Sequence, residues 1–343
     1  MASRIADIAK EAEVSPSTVS VALNNKSGVS DEVRQKIVSI AVKLGYKNAF
    51  INGQINGQIN ENVTIRFLKI AKHGHIINER HNAFIAEYLD GIEMEAKKRK
   101  YKLEVSFYDQ VPIKEIVAAQ RKAEVSGFIV LGTELDDHEL IFFSELNKPA
   151  VFIDTYFHFS VCDCIDMNNV DGVFKSIQYL YNCGHRSIGL IKSSYKTRNF
   201  TMREFGFREA MEYFSLPVQE KFIISADPTF DGSIQDMDKY LSRNSSLPTT
   251  FFCMSDIMSY SFIKVLRNYN FSVPNDISII GFDDLPSSSL SEPPLTTIRV
   301  SAREIGRRAI EKLSGRIANL SEYIPENILI SGKLMIRDSV KKI

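Results

Sequence analysis

Apolar and polar positions alternate in two regimes along the chain. Up to Tyr46 the apolar residues recur at three- and four-residue intervals: Ile5, Ile8, Ala9 and Ala12, then Val14 and Val19, then Ile37, Ile40, Ala41 and Leu44. That spacing predicts three short amphipathic helices. Ser15-Pro16 opens the second, because serine accepts the N–H groups of a first turn and proline already has a helical φ. Ser30-Asp31-Glu32 opens the third with a cap and two acids at the positive helix end. Leu23-Asn24-Asn25 and Gly45 are the expected breaks. From residue 63 on, apolar runs at 63–70, 103–108, 127–131, 150–154, 188–191, 222–224, 250–254 and 277–282 alternate with helical segments at 84–100, 113–122, 171–183, 202–214, 233–242 and 258–270. Strands separated by helices predict parallel sheets covered on both faces. The expected fold is a small all-α head joined to a two-lobed α/β body with two doubly wound parallel sheets, whose ligands bind beyond the carboxyl ends of the strands.

Between the regimes lies NAFINGQINGQINEN, residues 48–62, with an Ile-Asn-Gly-Gln repeat. Gly and Asn are poor helix-interior residues, so it reads as a flexible or extended connector. The expected domains are a head over 1–47, the connector over 48–62 and a body over 63–343. The first lobe takes about 63–164 and 293–322, and the second about 165–292 and 323–343.

Composition changes this picture little. The 343 residues carry 42 Lys and Arg against 42 Asp and Glu, with 44% hydrophobic residues, as in an ordinary globular chain. The head alone is mildly basic: Arg4, Lys10, Lys26, Arg34, Lys36, Lys43 and Lys47 outnumber Asp7, Glu11, Glu13, Asp31 and Glu32. Phosphate neutralisation supplies most of duplex affinity, so two heads in a homodimer are expected, with a tetramer as the alternative. No early run has the signal-peptide pattern and none is long enough to span a bilayer. A cytoplasmic protein with no membrane partner is therefore expected. Scattered reduced thiols account for Cys162, Cys164, Cys183 and Cys253; the alternative at Cys162-x-Cys164 is a metal or redox pair. His73-x-His75 lacks a Cys or acidic partner in register, so no metal, no cofactor and no catalytic residue are expected. Phosphate-loop, dinucleotide and nucleophile-elbow motifs are absent. Paired carboxylates leave glycoside hydrolysis as an alternative, but that would give the head no purpose.

Candidate chemistry lies in two places. The second helix is polar outside, with the hydroxyls of Ser17, Thr18 and Ser20 able to reach phosphates or base edges, as a helix-turn-helix requires. The alternative is a small helical cap that binds nothing. In the body, strands end at Gly132-Thr133-Glu134, Asp154, Met254-Ser255-Asp256 and Gly281-Phe282-Asp283-Asp284. Carboxylates there suit hydroxyl donors such as those of a sugar, although each can equally cap the next helix. Asn82 and Phe84 follow the first strand. With no tryptophan in the chain, a ring platform falls to Phe84 or Phe230. Tyr156, Phe157 and Phe159 are ambiguous between platform and core.

The blocks Ile5-Ala6-Asp7-Ile8-Ala9, Val14-Ser15-Pro16-Ser17-Thr18-Val19-Ser20, Leu23-Asn24, Val29-Ser30 and Leu44-Gly45-Tyr46 together resemble the DNA-binding head of LacI/GalR transcription regulators. The resemblance implies base-edge contacts for Pro16, Ser17 and Val21. It implies phosphate contacts for Ser15, Thr18, Ser20, Asn24 and Ser30, with Ile5 also at the DNA face. It continues through the body in Gly184-His185-Arg186-Ser187-Ile188-Gly189, Arg203-Glu204-Phe205-Gly206-Phe207-Arg208-Glu209-Ala210, Val273-Pro274-Asn275-Asp276-Ile277-Ser278, Gly281-Phe282-Asp283-Asp284 and Pro294-Leu295-Thr296-Thr297. That body is similar to periplasmic sugar-binding proteins, which implies effector contacts for Arg203, Asp256 and Asp283; Asn82, Phe84, Thr133, Glu134, Asp154 and Phe230 complete the candidate set. The resemblance does not extend to the hinge: no proline follows Tyr46 and no Ala-Arg motif comes after it, leaving Phe50 or Ile51 as wedge candidates. The expected function is a ligand-responsive, DNA-binding transcription regulator, a repressor of carbohydrate-utilisation genes. It would act as a homodimer on a near-palindromic double-stranded operator, with a sugar-like effector between the lobes. The alternative is a sugar-binding receptor without DNA function.

Overall fold

A computed structural model of the chain describes residues 5–23, 28–44, 63–73, 81–157, 161–244, 246–318 and 324–343. Asn24, Gly45, Tyr46, the connector 48–62, His75 and Phe159 lie outside the described residues. The chain divides into two compact units, one running to Val63 and including Arg99–Lys102, the other holding the rest.

In the first unit α1 (Ile5–Ala12), α2 (Pro16–Leu23) and α3 (Asp31–Lys43) surround a core of Ile8, Ala9, Ala12, Val19, Ala22, Leu23, Ile37, Val38 and Ala41. Ile5, Val14, Ile40 and Leu44 pack against it. The turn into α2 is made by Glu13 at φ 59°, and Ser15 Oγ accepts the N–H of Thr18 at 3.1 Å, as a capping serine should. At the far end of α2 the guanidinium of Arg34 donates to the carbonyl of Ala22 at 3.0 Å, so α3 fixes where α2 points.

The second unit alternates strands and helices: β1 (Thr64–Ala71), α4 (Asn82–Lys98), β2 (Lys102–Asp109), α5 (Ile113–Gln120), β3 (Gly127–Leu131), α6 (Leu140–Phe143), β4 (Ala150–Ile153), β5 (Asp163–Met167), α7 (Asn169–Asn182), β6 (Ile188–Ser193), α8 (Arg198–Tyr213), β7 (Ile223–Ala226), α9 (Phe230–Leu241), β8 (Thr250–Cys253), α10 (Asp256–Asn268), β9 (Ser278–Asp283), β10 (Thr296–Arg299), α11 (Ala302–Ala318), β11 (Asn327–Ile330) and β12 (Lys333–Met335). Two six-stranded sheets result, ordered β11-β5-β4-β3-β1-β2 and β12-β10-β9-β8-β6-β7. Their central strands are almost wholly buried, which is why they read as unbroken apolar runs.

The structure departs from the expected architecture in two ways. The second sheet is mixed, because β12 runs antiparallel to β10. The chain also changes lobe at other points than expected. Residues 165–167 belong to β5, paired with β4 and β11 in the first sheet. Thr296–Arg299 pairs with β9 in the second, and Asn327–Ile330 returns to the first. These crossover strands are short and their sheets are chosen by distant pairing partners, so local pattern says little about them. The helix α11 packs against α4, and a Cβ on Gly306 would stand 2.2 Å from the carbonyl oxygen of Tyr88. That close approach fixes Tyr88, which reaches into the junction of the lobes.

Candidate functional site

Two surfaces carry the candidate residues. On the head, Ser15, Pro16 and Ser17 are exposed, and Thr18, Ser20 and Val21 are half-buried along the same short helix. Ser15 Oγ lies 2.7 Å from Ser17 Oγ and 2.8 Å from Thr18 Oγ1, so three hydroxyls cluster at the helix start. Together with the outward N–H groups of that first turn they form an anion-facing edge. Ser30 is exposed at the start of α3, its Oγ accepting from the Val33 N–H at 3.4 Å. Ile5 is half-buried and packs against the head core. Asn24 lies outside the described residues.

In the body the carboxyl ends of the two sheets face one another across a cleft, at the points where strand order reverses between β1 and β3 and between β6 and β8. The cleft is lined by His81, Phe84, Thr133, Asp154, Met167, Thr197, Asn199, Phe200, Arg203, Ser255 and Asp283. Asp154 and Asp283 end β4 and β9 with left-handed φ values of 61° and 119°. Such geometry costs of order 1–3 kcal/mol and tends to cluster at binding sites. Asp154 accepts from the hydroxyl of Thr133, from Tyr88 at 2.8 Å and from Asn199 Nδ2 at 3.1 Å. Burial raises its carboxyl above the usual range, and these donors and Arg203 pull it back.

Arg203, 4% exposed, projects from α8. Its Nε donates to Asn169 Oδ1 at 2.9 Å, one terminal nitrogen to the carbonyl of Met254, and the other to Met167 Sδ, with Asp283 Oδ1 at 3.1 Å. The ring of Phe282 lies 3.8 Å beneath the guanidinium. Burial pushes the Asp283 carboxyl up to about 6; Arg203 opposes and Asp154 adds to it. Burial lowers His81 to about 4, with Arg203 adding to the effect, so its ring is neutral at pH 7.

Bonds cross from lobe to lobe. Asn199 Nδ2 also donates to the carbonyl of Asp154 at 3.0 Å, and Arg198 donates to the carbonyl of Tyr156 at 3.1 Å and to Asp137 Oδ2 at 3.0 Å. The remaining cavity is about 50 Å³, far below the several hundred Å³ of a small-molecule site. The lobes stand closed over it.

The structure gathers Phe84, Thr133, Asp154, Arg203 and Asp283 at the cleft and leaves the other four effector candidates off its lining. Asn82 is exposed and accepts from Lys69 Nζ at 2.9 Å. Glu134 accepts the backbone N–H groups of Lys72 and His73 at 2.6 and 2.9 Å, shaping the loop after β1. Phe230 sits in a separate surface groove with Tyr260 and Leu290, beneath Lys264. Asp256 is wholly buried, accepting from the N–H of Leu285 at 2.9 Å and the hydroxyls of Ser288 and Thr297 at 2.5 and 2.6 Å. Its oxygens are taken up by its own chain, so it braces the turn after β9. Sequence reasoning missed His81, Met167, Thr197, Asn199 and Phe200. Of these, Thr197 and Asn199 carried a signal, as polar residues just beyond β6 at a strand-order reversal. Cys162 and Cys164 form no disulfide, their sulfurs lying 3.5 Å apart, and among the described residues no group of three or more His, Cys, Asp or Glu is placed to hold a metal.

Two family models match the chain. Residues 4–48 match bacterial regulatory proteins of the lacI family, and residues 177–340 match a periplasmic binding protein-like domain. The chain is 28% identical to the HTH-type transcriptional repressor PurR of Haemophilus influenzae, over 99% of both chains. Among solved structures, a complex of the transcriptional regulator CelR with cellobiose covers 98% of this chain and 99% of its own at 22% identity, with a TM-score of 0.72. The lac repressor dimer bound to operator and the anti-inducer ONPF covers 99% of this chain and 100% of its own at 23% identity, with a TM-score of 0.70. With a helix-turn-helix head and a two-lobed body on one chain, the protein belongs to the lacI family and is a ligand-responsive DNA-binding transcription regulator, not an enzyme.

Proposed function

We propose that the protein represses carbohydrate-utilisation genes, and that a small sugar-like effector held between the lobes shifts its affinity for a near-palindromic operator. The observation that carries the effector assignment is the Asp154–Arg203–Asp283 constellation, in which acceptors from both lobes meet in one cleft. Aspartates accept paired hydroxyls and a buried guanidinium offers a rigid fork of donors. Phe84 and Phe200 supply apolar faces. The cellobiose in the CelR complex supports the sugar class. On the head, Pro16, Ser17 and Val21 are assigned to base edges and Ser15, Thr18, Ser20 and Ser30 to phosphates.

The protein acts as a homodimer in the cytoplasm, two heads reading two half-sites about one helical turn apart. The edge strand β2 exposes Val105 and Phe107, and the neighbouring α4 exposes Met94. An apolar edge of that kind suits a self-complementary interface, and the lac repressor neighbour is a dimer on operator. Thermal-shift screening of the full chain against pentoses, hexoses and disaccharides tests the effector class, since a ligand that binds the native state raises its apparent stability. A stabilising sugar that loses its effect in Asp283→Ala supports the assignment. Stabilisation that persists in that variant places the effector elsewhere.

A further inference from the structure

Three carboxyls converge where the lobes meet: Asp154, Asp166 and Asp283, each at most 8% exposed, with Asp256 satisfied by its own chain behind Asp283. Arg203 is buried among them, and its Nε and both terminal nitrogens are already engaged. Of the neighbouring basic side chains described, Lys72 is paired with Glu139 and Arg198 with Asp137, while Lys69 donates to the neutral amide of Asn82. The ring of His81 on the cleft wall is neutral at pH 7. Asp166 stands beneath the cleft with Oδ1 accepting the Met167 N–H at 2.8 Å and a wholly buried Oδ2 that has no hydrogen-bond partner among the described residues. The junction therefore holds acceptors in excess of cationic donors.

We propose that the cleft sorts effectors by charge, taking an uncharged or amine-bearing molecule rich in hydroxyl or N–H donors and rejecting its phosphorylated or carboxylated counterparts. The proposal rests on the reading of the cleft as the effector site. A ligand hydroxyl or ammonium donates to the open acceptor positions of Asp154 and Asp283. An anion placed there meets the Asp283 carboxylate, which ionises above about 6, at low dielectric, and it gains the guanidinium only by displacing that carboxylate. That displacement would leave a buried carboxylate unpaired, the arrangement buried ion pairs tolerate least. Burial raises the carboxyls of Asp154 and Asp166; at Asp154 the hydrogen-bond donors and Arg203 oppose it, and at Asp166 the charge of Asp154 adds to it.

The test uses the full chain and two probes. The first titrates inorganic phosphate at constant ionic strength while the Nε–H resonance of Arg203 is followed by NMR. No saturable shift is expected; a saturable millimolar shift at that resonance overturns the proposal. The second compares matched sugars by calorimetry: ribose with ribose 5-phosphate, and glucose with glucose 6-phosphate and glucosamine. A sugar that binds should lose at least about a hundredfold in affinity on phosphorylation and no more than about tenfold on replacement of a hydroxyl by an amine. A phosphorylated sugar that binds within tenfold of its parent overturns the proposal. If no sugar of any charge binds, the carbohydrate reading of the effector fails, and the phosphate titration still decides the charge selection.

Discussion

Asp256→Asn separates a residue that braces the fold from one that touches the ligand. Burial pushes the Asp256 carboxyl up to about 8 from the usual 3.8, with Asp283 adding to the rise. Between those two pH values the folded chain binds more protons than the unfolded one, so stability falls as pH rises. The slope is about 1.4 kcal/mol per pH unit. From pH 5 to pH 8 this one group thus removes about 4 kcal/mol. An asparagine keeps the shape, with its oxygen accepting from the Leu285 N–H and the Ser288 hydroxyl and its amide donating to the hydroxyl of Thr297. A pH-independent cost of the amide offsets the whole curve and leaves the slope alone. Urea unfolding followed by circular dichroism at pH 5, 6, 7 and 8 should therefore show the variant gaining on the wild type by about 4 kcal/mol across the range. Operator binding and effector response should both survive. Parallel stability curves would refute the burial argument, and loss of effector response alone would put Asp256 on the ligand.

Four further outcomes are expected. Replacing Ser17 or Val21 should change the preferred base, each site losing about 1–3 kcal/mol of discrimination, whereas Ser30→Ala should weaken all duplexes alike; binding-site selection reads both. Arg203→Ala removes the guanidinium from Asp283 and should cost about 3–5 kcal/mol of stability. Arg203 holds the Asp283 carboxyl down at about 6, and without it the proton is taken up at higher pH, so the loss should shrink as the pH falls toward about 6 and level off below it; denaturation at pH 5 and pH 8 shows whether it does. Arg198→Ala deletes two bonds across the cleft and should populate a more open body, visible as a larger radius of gyration in solution scattering; an unchanged radius means those bonds do not hold the lobes together. Gly281→Ala would press a methyl within 2.3 Å of Asp256 Oδ1 and 2.9 Å of Leu295, and should destabilise by about 1–3 kcal/mol in the same denaturation assay.

What could be read in advance follows how local the determinants are. The head was legible because its caps and stripes act within a few residues: Ser15 and Ser30 cap the helices whose starts they mark. The buried central strands were legible as apolar runs, the strand-end aspartates as polar residues in the wrong company, and Arg203 only through the family resemblance of its helix. The crossover strands β10, β11 and β12 were not, since three or four residues acquire a sheet only from partners far along the chain. The helix α11 carried a clear stripe, Ile305, Ala309, Ile310 and Leu313, that the strand–helix alternation did not single out. Asn199 escaped notice because α8 begins at Arg198, capped by Thr197, rather than near Met202. Asp256 and Phe230 show the converse limit: a strand-end acid and a loop aromatic look alike in sequence whether they face the cleft or their own lobe.

The central claim is that the cleft and the head are energetically coupled, and reciprocal titration tests it most directly. The dissociation constant of the operator is measured with and without a saturating sugar found by the screen, and that of the sugar with and without saturating operator. Linkage requires the two ratios to be equal, and the account predicts a common factor of roughly 5 to 150 that disappears in Asp283→Ala. Ratios of one in both directions, with a sugar bound in the cleft, would contradict it.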